Sequence, residues 1–344
     1  MIRADHLTLS RLLLLPVPIA MLYQETTAWR AAALAAFVLL GLTDVLDGPL
    51  ARRYGPTRIG EALDIVADRA FLATVYSVFA DLGIISLPAA ILILTREYLV
   101  LGLRDLPAVT ARTGAAGKLR TTVQMYGAGL LLLLWIPAGR WWIAGLLVAA
   151  LAGAAAHLFG AWHRHRRGDW RSLWGLGLVG SLLAVHLLLP ARGTMRYVTA
   201  LILSVTLATA AVYAWKARRE IAAGLSQRPL ELLRLAGTTL VIPIVWAPLL
   251  ACGPPLSLAV AALAALELAR LVLASDLARA GVSAGAGREI ARLAVLAPAG
   301  SAVRMLAGSS GASTAALLVT IALCAVTALE AAARLSHCAR RELP

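Results

Sequence analysis

Stretches of about 20 apolar residues, the length a helix needs to cross a bilayer, return along the whole of this chain. They lie near 11–26, 29–47, 62–82, 86–104, 122–139, 141–162, 171–190, 196–215, 233–251, 255–275 and 313–334. A weaker one near 289–307 is crowded by Arg288, Glu289, Arg292 and Arg304, and reads equally as an amphipathic surface helix. The chain is 60% hydrophobic and only 15% charged, which is outside the range of ordinary soluble domains. An all-α integral membrane fold is therefore expected, with about six spans in 1–168 and about six more in 169–344.

A net charge of +14 raises the question of nucleic acid, and the placement of the charge answers it. Basic residues gather at alternate ends of the apolar stretches: Arg52, Arg53 and Arg58, then Arg164, Arg166 and Arg167, then Lys216, Arg218 and Arg219. The loops between are poor, holding Arg30, Arg140 or Arg304. That is the positive-inside pattern, and nucleic acid drops out as a partner. The alternation is continuous only if 289–307 crosses, giving twelve spans with both termini in the cytoplasm. Cys252, Cys324 and Cys338 form neither a disulfide framework nor a metal-ligand spacing. Trp141 and Trp142 read as interfacial anchors.

Two polar stretches punctuate the chain: HRHRRGDWR at 163–171, and KARREIAAGLSQRP at 216–229, read as a linker. A shift of 227 residues lays Pro16 on Pro243, LTDVLDGPLAR (42–52) on ARLVLASDLAR (269–279), and Gly60 on Gly287. Either an eroded duplication starting near 228 or chance matching in Ala/Leu-rich sequence accounts for this. Under both, the second half lacks grouped acids: Leu271, Ala274, Ala291 and Val295 stand where Asp44, Asp47, Asp64 and Asp68 stand in the first.

Those four aspartates lie in TDVLDGPLARRYGPTRIGEALDIVADR, residues 43–69. Asp44 and Asp47 are three apart, and Asp64 and Asp68 four apart. On helices each pair shares a face, with Cβ atoms about 5–6 Å apart. A short loop between the helices lets all four carboxylates face one pocket at the membrane surface. Unpartnered, they repel, and some must take up protons. Hard divalent cations relieve the repulsion through oxygen ligands, and two such ions can clamp a diphosphate. Gly48 and Gly60 allow close approach of a bulky ligand, and Arg52 offers a planar fork to phosphate. The competing reading is salt bridging of the acids to Arg52, Arg53, Arg58 and Arg69 as topology anchors.

The pattern formed by Asp44, Asp47, Gly48, Ala51, Arg52, Gly60, Asp64 and Asp68 resembles the signature of the CDP-alcohol phosphotransferase family. Seven residues, 53–59, separate Arg52 from Gly60, one fewer than is usual in that family. LTREYLVLGLRDL (94–106) and GKLRTTVQM (117–125) are similar to its phosphatidylglycerophosphate synthase branch, although Ile65 and Arg69 replace that branch's proline and lysine. The likeness covers roughly residues 5–165.

The resemblance implies transfer of a phosphatidyl group from CDP-diacylglycerol to an alcohol, most simply glycerol 3-phosphate, with release of CMP. It implies two Mg²⁺ or Mn²⁺ ions on Asp44, Asp47, Asp64 and Asp68, with Asp68 as general base. Gly48, Ala51, Arg52 and Gly60, with Thr8 and Arg11, would hold the CDP-lipid. Arg96, Arg104, Lys118 and Arg120 would hold the acceptor phosphate, although Arg96 and Glu97 could simply pair with each other. Expected partners are CDP-diacylglycerol, an alcohol phosphate, membrane lipids and a second copy of the chain. The expected setting is a bacterial inner membrane with the active site facing the cytoplasm. Alternatives are the same chemistry on inositol phosphate or another polyol phosphate, a non-catalytic CDP-lipid binder, and a twelve-span transporter.

Overall fold

A computed structural model describes residues 4–54, 58–104, 114–137, 140–165, 170–226, 229–279, 286–307 and 313–340. Among them all regular structure is helical. The helices are α1 (Ala4–Leu14), α2 (Pro16–Leu22), α3 (Thr27–Tyr54), α4 (Arg58–Asp81), α5 (Leu87–Arg104), α6 (Gly114–Trp135), α7 (Arg140–His165), α8 (Trp170–Leu188), α9 (Ala191–Ser226), α10 (Pro229–Leu240), α11 (Leu256–Arg279), α12 (Ala286–Ala307) and α13 (Ser313–Arg340). After α10 the chain continues as a π turn, Val241–Trp246, and a 3-10 turn, Ala247–Cys252.

Two sequence expectations are corrected. The span expected at 11–26 is two helices, broken at Leu15 ahead of Pro16. Proline lacks an N–H and its ring crowds the preceding turn. The same residue type lies in the later π turn, at Pro243. The linker expected at 216–229 is helical through Ser226, because α9 runs unbroken for 36 residues. Its Lys, Arg, Glu and Ala are strong helix formers, and the Arg218 guanidinium donates to the Trp215 carbonyl at 2.8 Å while lying over its ring.

Apart from 11–26, the described part of each apolar stretch largely coincides with a helical segment. Six helices among the described residues are long and apolar enough to cross a membrane: Trp141–Phe159, Ala191–Ala222, Leu233–Cys252, Leu256–Ser275, Arg288–Ala307 and Thr314–Ser336. The weak stretch at 289–307 is among them. Thr8–Leu22, Thr27–Thr43 and Gly175–Leu188 are shorter apolar helices.

Burial sorts centre from rim. The apolar window of α11 is 78% buried inside the protein, whereas those of α7 and α13 are 17% buried. The rim exposes Trp141, Trp142, Phe159, Leu318 and Leu329, a surface suited to lipid. Helix α11 packs most extensively against α4 and α13, and α6 against α9. Tyr98 Oη on α5 donates to the Ala264 carbonyl of α11 at 2.7 Å. At the far end of α4, Asp81 accepts from Ser257 Oγ of α11 at 2.7 Å and from Tyr23 Oη beyond α2 at 2.5 Å. Gln124 Nε2 of α6 donates to Thr206 Oγ1 of α9 at 3.2 Å. Residues on both sides of 168 therefore share cores and buried polar contacts.

Small residues let helices close on one another, a common device where lipid supplies no hydrophobic drive. A Cβ at Gly127 would meet Ile202 of α9 at 2.6 Å, and one at Gly300 would meet Trp246 Nε1 at 2.7 Å. Trp246 itself is fully buried and donates to the Leu296 carbonyl of α12 at 3.1 Å.

Candidate active site

The residues expected to form the site lie mainly on α3 and α4. Phe37 of α3 meets Phe71 of α4 edge-on, with ring centroids 5.8 Å apart, so the two helices are neighbours. The last three turns of α3 carry Asp44, Asp47, Gly48, Ala51 and Arg52, whose side chains lie outside the described residues. On α4, Gly60 is partly buried in the first turn, Asp64 is exposed, and Asp68 is 28% exposed one turn further on. Their spacing of four places both carboxylates on one face of the helix.

Helix α1 packs against both α3 and α4. It brings Arg11 to Asp68, with Nη1 3.6 Å from Oδ1. Arg11 and Thr8, one turn apart, are each only 3% exposed. Of the residues expected at the CDP-lipid, the structure thus brings Arg11 to an expected catalytic acid and sets Thr8 on the same helix. Apposition of Asp44 and Asp47 to Asp64 and Asp68 involves side chains outside the described set.

A second group lies beside this one. Glu97, in the middle of α5, is buried and touches three guanidinium groups. Arg96 Nη1 donates to it at 3.1 Å, and Arg69 of α4 and Arg120 of α6 both pair with it. Arg120 also donates to Thr121 Oγ1 at 3.0 Å and lies within the field of Asp68. Arg69 follows Asp68 directly in sequence, so the arginine group lies beside the α4 carboxylates. The pairing of Arg96 with Glu97 that the sequence left open is present, and it is one contact of a larger set. Arg104 and Lys118 have side chains outside the described residues.

Arg69 was legible only as a topology anchor or as a departure from a family pattern. A helix places it about 100° around from Asp68, and nothing in the sequence says that the new direction is towards Glu97, 28 positions on.

Among the described residues no three potential metal ligands form a group. The donors present are nonetheless of the right kind. Asp64 and Asp68 offer carboxylate oxygens on one exposed face, the ligand type hard divalent cations take. The α3 aspartates lie on the adjoining helix.

A helical integral membrane protein in which buried arginines lie beside the carboxylates of α4 is the class these observations define. The family profile described as CDP-alcohol phosphatidyltransferase matches residues 1–162. A CDP-diacylglycerol–glycerol-3-phosphate 3-phosphatidyltransferase of Rickettsia typhi is 32% identical over 133 residues, covering 38% of this chain and 75% of that protein. The protein of the same description from Escherichia coli is 35% identical over 140 residues, again 38% of this chain and 75% of the relative. A probable phosphatidylglycerophosphate synthase of Mycobacterium tuberculosis is 36% identical over 139 residues, covering 38% and 65%. No solved structure matches the chain at a significant level. The chain belongs to the CDP-alcohol phosphatidyltransferase family and is a transferase of phospholipid synthesis.

Proposed function

We propose that this protein transfers a phosphatidyl group from CDP-diacylglycerol to glycerol 3-phosphate and releases CMP. The observation that carries the choice of acceptor is the convergence of Arg69, Arg96 and Arg120 on Glu97, next to the α4 carboxylates. Guanidinium groups recognise phosphate through paired N–H donors. A phosphorylated alcohol seated there would present its hydroxyl towards Asp68. The printed names of the relatives agree with this acceptor.

Asp68 acts as general base on the acceptor hydroxyl. The freed oxygen attacks the phosphorus bearing the diacylglycerol, and the bond to CMP breaks. Arg11 steadies Asp68 as a carboxylate at 3.6 Å. Arg52, with Gly48, Ala51, Gly60 and Thr8, holds the cytidine diphosphate. Asp44, Asp47, Asp64 and Asp68 would hold divalent metal, Mg²⁺ or Mn²⁺, which when bound neutralises charge on the diphosphate. Glu97 holds Arg69, Arg96 and Arg120 in place, and Arg104 and Lys118 add charge near the acceptor. Residues 1–168 carry this reaction. The remaining helices bring the total to twelve crossings, with the site on the cytoplasmic side of a bacterial inner membrane.

The test is incorporation of labelled glycerol 3-phosphate into lipid by the purified chain with CDP-diacylglycerol and Mg²⁺. Inositol 1-phosphate and other polyol phosphates run alongside. Label in the lipid phase with stoichiometric CMP supports the proposal. Exclusive use of another polyol phosphate replaces the acceptor, and absence of CMP with every acceptor removes the proposal.

A further inference from the structure

The shift of 227 residues that aligned fragments of sequence also aligns the helices. Subtracting 227 from α11, Leu256–Arg279, gives 29–52, against α3 at 27–54. The same operation takes α12 to 59–80, against α4 at 58–81, and starts α13 at 86, against α5 at 87. The α10 segment with its π and 3-10 turns maps to 2–25, over the α1–α2 pair at 4–22. Both segments depart from regular α-helix near the matched proline, α1 ending just before Pro16 and α10 giving way to the π turn that holds Pro243. Part of the packing follows the same map, although among the described residues α11–α13 has no such counterpart in α3–α5, nor α1–α3 in α10–α11. The pair α1–α4 answers to α10–α12, α2–α3 to the 3-10 turn on α11, and α4–α5 to α12–α13. Chance matching of Ala/Leu-rich sequence explains a few identities; it does not explain helix boundaries that agree within a few residues along four successive segments.

The second copy differs in what lies between its helices. Three acids and three bases form a closed set there. Arg270 donates to Glu267 at 3.0 Å and to Glu289 at 2.7 Å. Arg334 of α13 donates to Glu289 at 2.9 Å, and Arg292 of α12 pairs with Glu267 and Glu330. Thr327 Oγ1 also donates to Glu267 at 3.1 Å. Arg270 is 1% exposed and Glu267 is 3%. The set adjoins the positions equivalent to the four aspartates: Arg270 precedes Leu271, and Glu289 and Arg292 flank Ala291. Its charges balance, three against three, each satisfied within the protein. At the catalytic copy, three guanidinium groups gather about the single carboxylate of Glu97.

We infer that residues 229–340 are a second copy of residues 2–113 that lacks the four aspartates, and that the closed Glu–Arg set fills the place its reaction centre would occupy, leaving one CDP-lipid site in the chain. Buried charge this costly persists only when every member is paired. The copy relation rests on helix register; the count of sites rests on the proposed reaction.

Two measurements on the full chain test it. In the first, thermal unfolding midpoints are compared for wild type, Arg270→Gln, Glu289→Gln and the double variant. Each single change leaves an unbalanced buried charge and lowers the midpoint by about 6–20 °C. The double restores balance and recovers at least half of the combined loss. Singles without effect, or losses that simply add, overturn the closed-set claim. This arm needs no substrate, so it is decided whether or not the proposed reaction is observed. In the second, CDP-diacylglycerol binding is counted per chain. One equivalent is expected, retained in Arg270→Gln/Glu289→Gln and lost in Asp64→Asn/Asp68→Asn. Two equivalents, or loss of binding in a folded Arg270→Gln/Glu289→Gln protein, overturns the inference. Absence of binding by the wild type refutes the one-site count together with the proposed reaction, and leaves the closed-set claim to the thermal arm.

Discussion

Replacing Glu97 by glutamine tests the arginine group directly. Glu97 is 1% exposed and is the carboxylate common to Arg69, Arg96 and Arg120. Hydrogen bonds to charged groups contribute about 1.5–3 kcal/mol each. Three would sum to about 4.5–9 kcal/mol, but contacts sharing one carboxylate are not additive. The scale for breaking a buried ion pair, about 3–5 kcal/mol, is the better guide, because the cations left behind stay out of water. At roughly 2–4 °C per kcal/mol, the unfolding midpoint should fall by roughly 6–20 °C. Differential scanning fluorimetry in detergent reads this, with Glu97→Asp falling between wild type and Glu97→Gln. The same variant, assayed below its midpoint, should show KM for the acceptor raised by about tenfold or more, since the guanidinium groups lose their common anchor. An unchanged midpoint together with an unchanged KM would refute the claim that Glu97 organises this group.

Other outcomes follow from named contacts. Asp68→Asn should cut CMP release by about 10²–10⁴-fold, the usual worth of a general base, while the midpoint moves by only a few degrees. Treatment with a chelator should abolish turnover, and added Mg²⁺ or Mn²⁺ should restore it; full activity in metal-free protein would exclude the carboxylate assignment. Arg120→Lys keeps the charge but loses the planar fork, so KM for the acceptor should rise more than kcat falls. Gly300→Leu places a side chain where a Cβ already meets Trp246 Nε1 at 2.7 Å, and should lower stability by about 1–3 kcal/mol without altering KM for either substrate.

Hydropathy alone located the helices, because in lipid an apolar run of sufficient length has few other ways to satisfy its backbone. It did not show the break at Leu15, where Pro16 lies inside an otherwise continuous apolar run. Nor did it show that α9 continues to Ser226, since charged residues that read as a linker are also good helix formers. The α4 half of the candidate site was legible in the spacing of Asp64 and Asp68, which a helix converts directly into a shared face. The arginine group was only half legible. Arg96 and Arg120 stood out as charges at or near apolar spans, but the third member, Arg69, is fixed by the packing of α4 against α5. The central position of α11 was not legible at all. Its contact with α4 joins residues far apart in sequence, Asp81 and Ser257 being 176 positions apart, and the apolar window of α11 is no more apolar than that of α13, which lies at the rim. The balanced set around Arg270 and Glu289 reads in sequence as scattered charges on a weak span; its closure exists only once three helices meet.

The central claim is that the acidic ends of α3 and α4 form one cation site that holds a pyrophosphate-linked lipid. The most direct measurement is an experimental structure of the protein soaked with Mn²⁺ and CDP, with manganese located by anomalous scattering. The account predicts manganese bound by Asp64 and Asp68 together with Asp44 or Asp47, and the cytidine diphosphate beside Arg52. Manganese found elsewhere, or the α3 and α4 carboxylates turned to separate surroundings, would contradict it.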